Sequence, residues 1–173
     1  MGVGGSVAPA ARGDACPGRH VLPIVPTFVR TLLLNAPVAE VFAFHERDDA
    51  LARLSPPFPP LRVVSRTGGI RPGARVDLRI GPIRWLALHT VYEPNRLFVD
   101  EQIAGPFRSW VHRHEFEPVD AGTTRLTDRV TFTLPGGGVA DALAGRFVAL
   151  ALVPLFRYRH AATRAACEGR STA

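Results

Sequence analysis

The chain of 173 residues has the length of one domain, and its hydrophobic fraction of 46% can supply a substantial core. The formal net charge is +6, and all 21 strongly basic residues are arginine. Because the arginines are scattered rather than clustered, the sequence predicts no nucleic-acid partner. The longest apolar run, residues 147–156, is shorter than the roughly 20 residues that cross a bilayer. No transmembrane segment is therefore expected.

The two ends of the chain differ in composition from its middle. Residues 1–26 are rich in Gly, Ala and Pro without apolar periodicity, which is typical of a disordered tail. The predicted domain covers residues 27–168, and residues 169–173 form a second predicted tail. No signal peptide is expected, and Cys16 and Cys167 lie too far apart in sequence to indicate a disulfide framework or zinc site. These features predict a cytoplasmic protein.

The first predicted elements are a strand at 28–34 and a short helix at 36–44, with Asn35 as N-cap and Pro37 in the first turn. A second short helix at 49–54 ends before a proline pair. Alternating patterns then predict six strands, at 62–66, 75–80, 83–92, 97–103, 109–117 and 124–133.

A long helix is predicted over residues 139–167, and Pro154 is expected to kink it and to shape a ligand gate. Its apolar residues recur near the helical period, at Leu143, Phe147, Leu150, Ala151, Pro154, Tyr158 and Ala162. The order of elements predicts an α+β fold, in which a curved antiparallel sheet wraps around the C-terminal helix. The space between sheet and helix is a natural ligand cavity.

Turn lengths predict which side chains face this cavity, because residues directly opposite on antiparallel strands share a face. The turns predict these pairs: Ile80 with Ile83, Leu78 with Trp85, Val91 with Phe98, His89 with Asp100, and His114 with Asp128. The turn at Gly105 is ambiguous, because a two-residue loop would turn Glu101 inward. A three-residue turn or a bulge turns Asp100 and Gln102 inward instead, and we favour it because it agrees with the other turns.

The predicted cavity combines apolar and ionisable side chains. The apolar candidates for ligand contact are Trp85, Phe98, Trp110, Phe116, Val130 and Phe147. The polar candidates are His89, Asp100, Gln102, His112, His114 and Asp128. An unpaired buried polar group costs roughly 1–3 kcal/mol, so this many of them indicates a functional site rather than an ordinary core.

Several segments resemble the START-like or SRPBCC superfamily, whose members have the helix-grip fold. They are residues 37–44, 97–102, 105–107, 110–116, 126–130 and 156–160. The similarity is to a bacterial, polyketide cyclase/dehydrase-like branch, related to domains fused ahead of epimerase-like dehydrogenases. It implies a hydrophobic ligand cavity. The dehydrogenase domain and its Gly-x-Gly-x-x-Gly fingerprint are missing here, so nicotinamide binding is not carried over. No other cofactor is expected.

The polar residues allow more than one interpretation. His114 opposite Asp128 is either a structural pair or a catalytic acid–base pair. His89, His112 and His114 with a carboxylate form a conceivable metal site, but their spacing is unspecific and no metal is expected. The two tryptophans either stack on a flat ligand or fill the core. Arg157, Arg159 and Arg164 are expected on a solvated helix face, and the alternative is an anion or membrane contact through this helix and residues 147–156.

Three functions remain open at this point. The first is binding of a small hydrophobic or aromatic molecule. The second is a cyclase or dehydratase reaction with His114 and Asp128 as the acid–base pair. The third is an interaction module for a separate dehydrogenase-like protein partner.

Overall fold

The computed structural model describes Met1 and residues 25–169. Most of the predicted N-terminal tail, Cys16 and residues 170–173 lie outside the described residues. The elements are β1 (Thr27–Leu34), α1 (Val38–Glu46), α2 (Ala50–Arg53), β2 (Leu61–Thr67), β3 (Arg75–Ile80), β4 (Ile83–Glu93), β5 (Leu97–Ala104), β6 (Ser109–Pro118), β7 (Thr124–Thr133) and α3 (Gly138–Glu168). The predicted α+β class and element order are confirmed.

The seven strands form one antiparallel sheet in the order β1-β7-β6-β5-β4-β3-β2. Strands β2 to β7 follow one another as a meander, since short turns join neighbours that are adjacent in sequence. The first strand instead pairs with the last, across the full length from Thr27 to Leu34. This arrangement makes β7 an interior strand, next to the β1 edge, with β1 and β6 on either side.

The observed register confirms four of the five predicted pairs and corrects one. Ile80 lies opposite Ile83, and His114 lies opposite Asp128. Val91 lies opposite Val99 rather than Phe98, because the β4–β5 turn spans three residues and includes Asn95 with a φ of 60°. An irregularity between His89 and Val91 restores the register, so the predicted pair of His89 with Asp100 is present.

The turn after β5 resolves which acidic residue faces inward. Asp100 lies opposite His112, and Glu101 lies opposite Val111 on the other face of the sheet. There the Glu101 carboxylate accepts a hydrogen bond of 2.9 Å from Thr90 Oγ1. The predicted inward position of Asp100 is therefore confirmed.

Two aromatic clusters fill the space between sheet and helices. The first lies under α1, where the Phe42 ring makes edge contacts with Tyr92, Phe98 and Phe116. The second lies under α3 and contains Phe28, Trp110, Val130, Phe132 and Phe156. Each fully buried side chain of this kind contributes roughly 1.5–3 kcal/mol of transfer free energy, so the clusters fix the helices on either side of the remaining gap.

The start of α1 differs from the prediction. Pro37 takes the N-cap position and the helix begins at Val38, so the prediction of Asn35 as N-cap is wrong. Asn35 instead uses its backbone N–H, which donates to Glu168 Oε1 at 2.8 Å. This hydrogen bond ties the end of β1 to the C-terminal end of α3.

The long helix α3 buries a different face from the one its apolar period indicated. Leu143, Phe147 and Leu150 are exposed, whereas Phe156 and His160 are buried. Within the described chain, α3 is also the one helix long and apolar enough to cross a membrane by length and composition alone. In the fold it is the core helix, because its C-terminal half covers the sheet.

Candidate functional site

A cavity of about 450 Å³ lies between the sheet and α3, closed on a third side by α2 and the segment leading into β2. This volume falls within the usual range for small-molecule pockets. Apolar side chains from all three sides form the walls: Leu51, Leu54, Ile70, Val76, Leu78, Ile80, Ala87, Leu152 and Leu155. Imidazole and carboxylate groups from β4, β5 and β6 form the polar part.

Seven of the twelve predicted site residues line this cavity: Trp85, His89, Phe98, Asp100, Trp110, His112 and His114. Asp128 lies directly behind the two histidines of β6, buried and in contact with both. The structure therefore brings the predicted polar residues together, with one exception in Gln102.

Four predicted contact residues do not line the cavity. Phe116 and Val130 face inward as predicted but are enclosed by neighbouring core side chains. Gln102 turns toward the end of its strand, where its amide donates to the Phe107 carbonyl at 2.8 Å. Phe147 is 57% exposed, because the cavity meets α3 about one turn further along the helix.

The two tryptophans stand at one end of the cavity. The Trp85 and Trp110 rings meet edge to face, with centroids 5.0 Å apart, and Phe107 packs against both. Trp110 is also part of the core cluster under α3, whereas Trp85 is half-buried. Both rings therefore line the cavity, and Trp110 also fills core space.

Asp128 is the centre of a buried polar network that joins the sheet to α3. Its Oδ2 accepts a hydrogen bond of 2.7 Å from His160 Nε2, and its Oδ1 accepts one of 3.1 Å from His112 Nε2. The Nδ1 of His114 lies 2.8 Å from the same Oδ1, in an orientation that does not form a hydrogen bond. A carboxylate only accepts, so the bonded nitrogens of His112 and His160 carry protons.

His114 lies between two carboxylates. In addition to its contact with Asp128, its Nε2 lies 3.4 Å from Asp100 Oδ2. The Phe98 ring covers one face of the imidazole, stacked at 4.0 Å between centroids. His114 is therefore held in one orientation with its ring edge at the cavity.

The surroundings push the pKa values of these groups apart. Burial alone would lower the pKa of His114, but the negative charges of Asp128 and Asp100 outweigh it and raise that pKa. Burial alone would raise the pKa of Asp100, but the neighbouring histidines, His112 above all, lower it to about 2. Burial and the charge of His114 lower the pKa of His112. Proton-donating and proton-accepting groups thus stand side by side.

Two further histidines belong to this site, and the sequence analysis missed both. His45, on α1, lines the cavity, and burial lowers its pKa to about 4. Its Nδ1 is within 2.8 Å of the Val41 carbonyl, so it donates there. His160 lies one helical turn after Phe156, and this spacing from a buried aromatic residue was the available signal for it.

Arg159 lies in a different place from the solvated helix face predicted for it. Arg157 and Arg164 are exposed as expected, but Arg159 lines the cavity and its Nε is buried. Burial lowers the pKa of its guanidinium. The prediction of a solvated face is wrong for Arg159 because α3 turns this position toward the sheet, next to Phe156 and His160.

Three side chains of the site have the spacing that a metal ion requires. Asp100, His112 and His114 each place one ligand atom within 4.8 Å of the other two. These groups could hold an ion, but each already has a charged or hydrogen-bonded partner in the protein. The absence of a metal from this site therefore stays a prediction.

The curved seven-stranded sheet, the long C-terminal helix and the cavity between them define a helix-grip protein of the START-like class. Residues 34–157 match the family described as polyketide cyclase/dehydrase and lipid transport. Because the match spans well over half of the chain, the protein belongs to this family. No protein of curated function matches the chain.

Solved structures with the same fold include enzymes. The chain is 25% identical to a nucleoside-diphosphate sugar epimerase from Corynebacterium glutamicum, with a TM-score of 0.64 over 79% of this chain and 28% of that one. It therefore spans little more than a quarter of that protein. An aromatase/cyclase from a Streptomyces species is 16% identical, with a TM-score of 0.65 over 86% and 97% of the two chains. Norcoclaurine synthase from Thalictrum flavum is 13% identical, with a TM-score of 0.54 over 82% and 92%.

Proposed function

We propose that the protein binds a small, largely apolar or aromatic molecule in the cavity between the sheet and α3. The observation that supports this proposal is that one cavity of about 450 Å³ combines apolar walls with the imidazole and carboxylate groups of β4, β5 and β6. Apolar walls provide most of the binding free energy of a small ligand, and a few fixed polar groups orient it. Here His89, His112 and His114 are the orienting groups. The protein is expected to act in the cytoplasm.

Binding can be measured without a label, because the chain contains two tryptophans and both line the cavity. Native mass spectrometry of the purified protein, compared with its denatured mass, detects a co-purified molecule. Titration with beta-tetralone, a neutral aromatic ketone, then tests the empty cavity through tryptophan fluorescence. A ligand in contact with Trp85 changes its emission.

A cavity-filling variant supplies the critical comparison. Ala87 is buried and lines the cavity, so Ala87→Phe fills part of it, whereas Ala161→Phe places the same side chain on the exposed face of α3. We expect Ala87→Phe to weaken tetralone binding about tenfold or more and Ala161→Phe to leave it unchanged. Equal binding by both variants, or no bound molecule and no fluorescence change at all, would contradict the proposal.

A second candidate function is acid–base catalysis of the cyclase or dehydratase type. It is supported by the position of His114, whose imidazole reaches the cavity between two carboxylates that raise its pKa. Paired with Asp128, His114 would donate a proton to a carbonyl oxygen of the bound molecule. His89, whose Nδ1 has no hydrogen-bond partner in the described structure, would accept the proton from the adjacent carbon. The product of these two transfers is an enol.

This candidate predicts that the protein accelerates deuterium exchange at the carbon next to the carbonyl of beta-tetralone in heavy water, followed by NMR. We expect an acceleration on the order of 10²–10⁴ over buffer, lost in His114→Gln while tetralone still binds, with an affinity lowered by no more than about tenfold. An exchange rate equal to that of buffer would exclude this candidate and leave the binding function intact. Interaction with a dehydrogenase-like partner stays a prediction, supported by the similarity to part of the Corynebacterium epimerase.

A further inference from the structure

The Arg159 side chain enters the cavity without an anionic partner. Its Nε is buried and makes no hydrogen bond, and within residues 25–169 no carboxylate oxygen lies within 4.0 Å of the guanidinium. The guanidinium carbon of Arg159 lies over the Phe156 ring, 5.4 Å from its centroid, in a cation–π contact. A buried charge with no partner is costly, since burial removes its hydrating water and no carboxylate among residues 25–169 takes its place.

The two carboxylates whose charges act on Arg159, Asp100 and Asp128, already have partners in the protein. Both oxygens of Asp128 accept hydrogen bonds from histidines, and Asp100 faces His112 and His114 at 3.4–3.5 Å. They act on Arg159 only through space. Arg159 therefore does not serve to neutralise them.

The other cavity arginine shows what a satisfied guanidinium looks like in this fold. Arg66 also lines the cavity, but it donates a hydrogen bond of 2.7 Å to the Asp48 carbonyl and lies 3.5 Å from the Asp48 carboxylate. Arg159 has neither kind of contact. The difference indicates that the partner of Arg159 lies outside the residues that the structure describes.

We propose that the ligand of this cavity is an organic acid whose carboxylate pairs with Arg159 while its apolar body lies against the cavity walls. A guanidinium presents parallel N–H donors that fit a carboxylate, and such pairs are strong when they are shielded from water. The neighbouring wall residues Leu152, Leu155 and Phe156 provide that shielding. This inference rests on the proposed binding function and specifies the class of ligand.

The test compares naphthalene carboxylate with naphthalene carboxamide by isothermal titration calorimetry. The two probes have nearly the same shape and differ in charge. We expect the wild type to bind the carboxylate at least about tenfold more tightly. Arg159→Met should lose this preference while keeping its affinity for the amide, Arg159→Lys should keep part of it, and Arg157→Met is the matched control on the exposed face of the same helix.

The outcomes separate this inference from the proposed function. Binding of both probes with equal affinity by the wild type, or a preference that survives in Arg159→Met, would overturn the inference and leave the binding function standing. Binding of neither probe would contradict both. A large loss of thermal stability in both Arg159→Met and Arg159→Gln would show that the guanidinium is satisfied within the protein, which would also overturn the inference.

Discussion

Replacing Asp128 by Asn tests the centre of the polar network. The substitution keeps the size of the side chain but removes its charge and turns one accepting oxygen into an NH₂ donor. His160 and His112 each donate to a different oxygen of Asp128, at 2.7 and 3.1 Å. One of these two hydrogen bonds must therefore be lost or reversed, and His114 loses the nearer of its two negative neighbours.

The expected cost is large because the network is buried. Removing one partner of a buried ion pair costs about 3–5 kcal/mol, and Asn keeps one of the two acceptors. We therefore expect Asp128→Asn to lower the free energy of unfolding by about 3 kcal/mol near pH 6. Asp120→Asn, at an exposed turn where the side chain only accepts a backbone hydrogen bond, should change it by less than about 0.5 kcal/mol.

The difference in free energy of unfolding between wild type and Asp128→Asn should shrink both at low pH and at high pH. The pKa of Asp128 is lowered in the folded state, so its contribution is present above the unfolded value of 3.8 and is lost as the pH falls through the folded pKa. The pKa of His114 is raised, so its contribution is complete below 6.5 and is lost as the pH rises through the folded pKa. The difference is therefore greatest between these two values.

Urea unfolding followed by circular dichroism at several pH values measures this difference directly. Stability equal to that of the wild type within about 1 kcal/mol at pH 6 would refute the assignment of Asp128 as the centre of the network. A difference that did not change between pH 6 and 9 would refute the link between Asp128 and the proton of His114.

Three further predictions concern burial. The pKa of His45 is lowered to about 4 in the folded state, so the unfolded chain binds more protons as the pH falls from 6.5 to 4. Over that range the free energy of unfolding of the wild type should fall by up to about 1.4 kcal/mol per pH unit more than that of His45→Asn. If the two proteins lost stability in parallel, His45 would not be buried. Phe42→Ala should cost about 3–5 kcal/mol in urea unfolding because it empties the cluster under α1. Phe147→Ala should cost less than about 0.5 kcal/mol, since Phe147 is exposed, and a large loss there would restore the original prediction that it faces the cavity.

The strands could be predicted closely because the turns between them have strong local chemistry. Gly81-Pro82 sets the β3–β4 register, and the inward position of the β6 histidines follows from it and from the turn at Ala121. One register error was hidden, because the longer β4–β5 turn and the irregularity after His89 cancel each other. A single sequence gives no signal for such a compensation.

The helical contributions to the site were harder to predict. The first half of α3 is apolar on its exposed face as well, so the period of Leu143, Phe147 and Leu150 did not reveal which side meets the sheet. Arginine is usually exposed, so its residue type alone predicts a solvated position for Arg159. His45 stands on a short helix whose packing depends on residues distant in sequence, and only tertiary structure brings it near His114.

The charges around the cavity also determine how an acidic ligand should respond to pH. The ionisable groups around the cavity come from α1, α3 and strands β2 and β4 to β7: His45, Arg66, His89, Asp100, His112, His114, Asp128, Arg159 and His160. The charge of protonated His114 offsets part of the negative charge of the two carboxylates, while burial lowers the pKa of His45, His89 and His112.

An added carboxylate would bring a third negative charge into this balance, and it would raise the pKa of the nearest histidine. Binding of naphthalene carboxylate should therefore take up as much as about one proton, and its affinity should fall by up to about tenfold per pH unit above neutrality. The carboxamide should bind with the same affinity throughout. Calorimetry in two buffers of different ionisation enthalpy measures the uptake. If the carboxylate bound without proton uptake and with constant affinity between pH 6 and 8, the histidines would not sense the ligand, and the acid would lie elsewhere in the cavity.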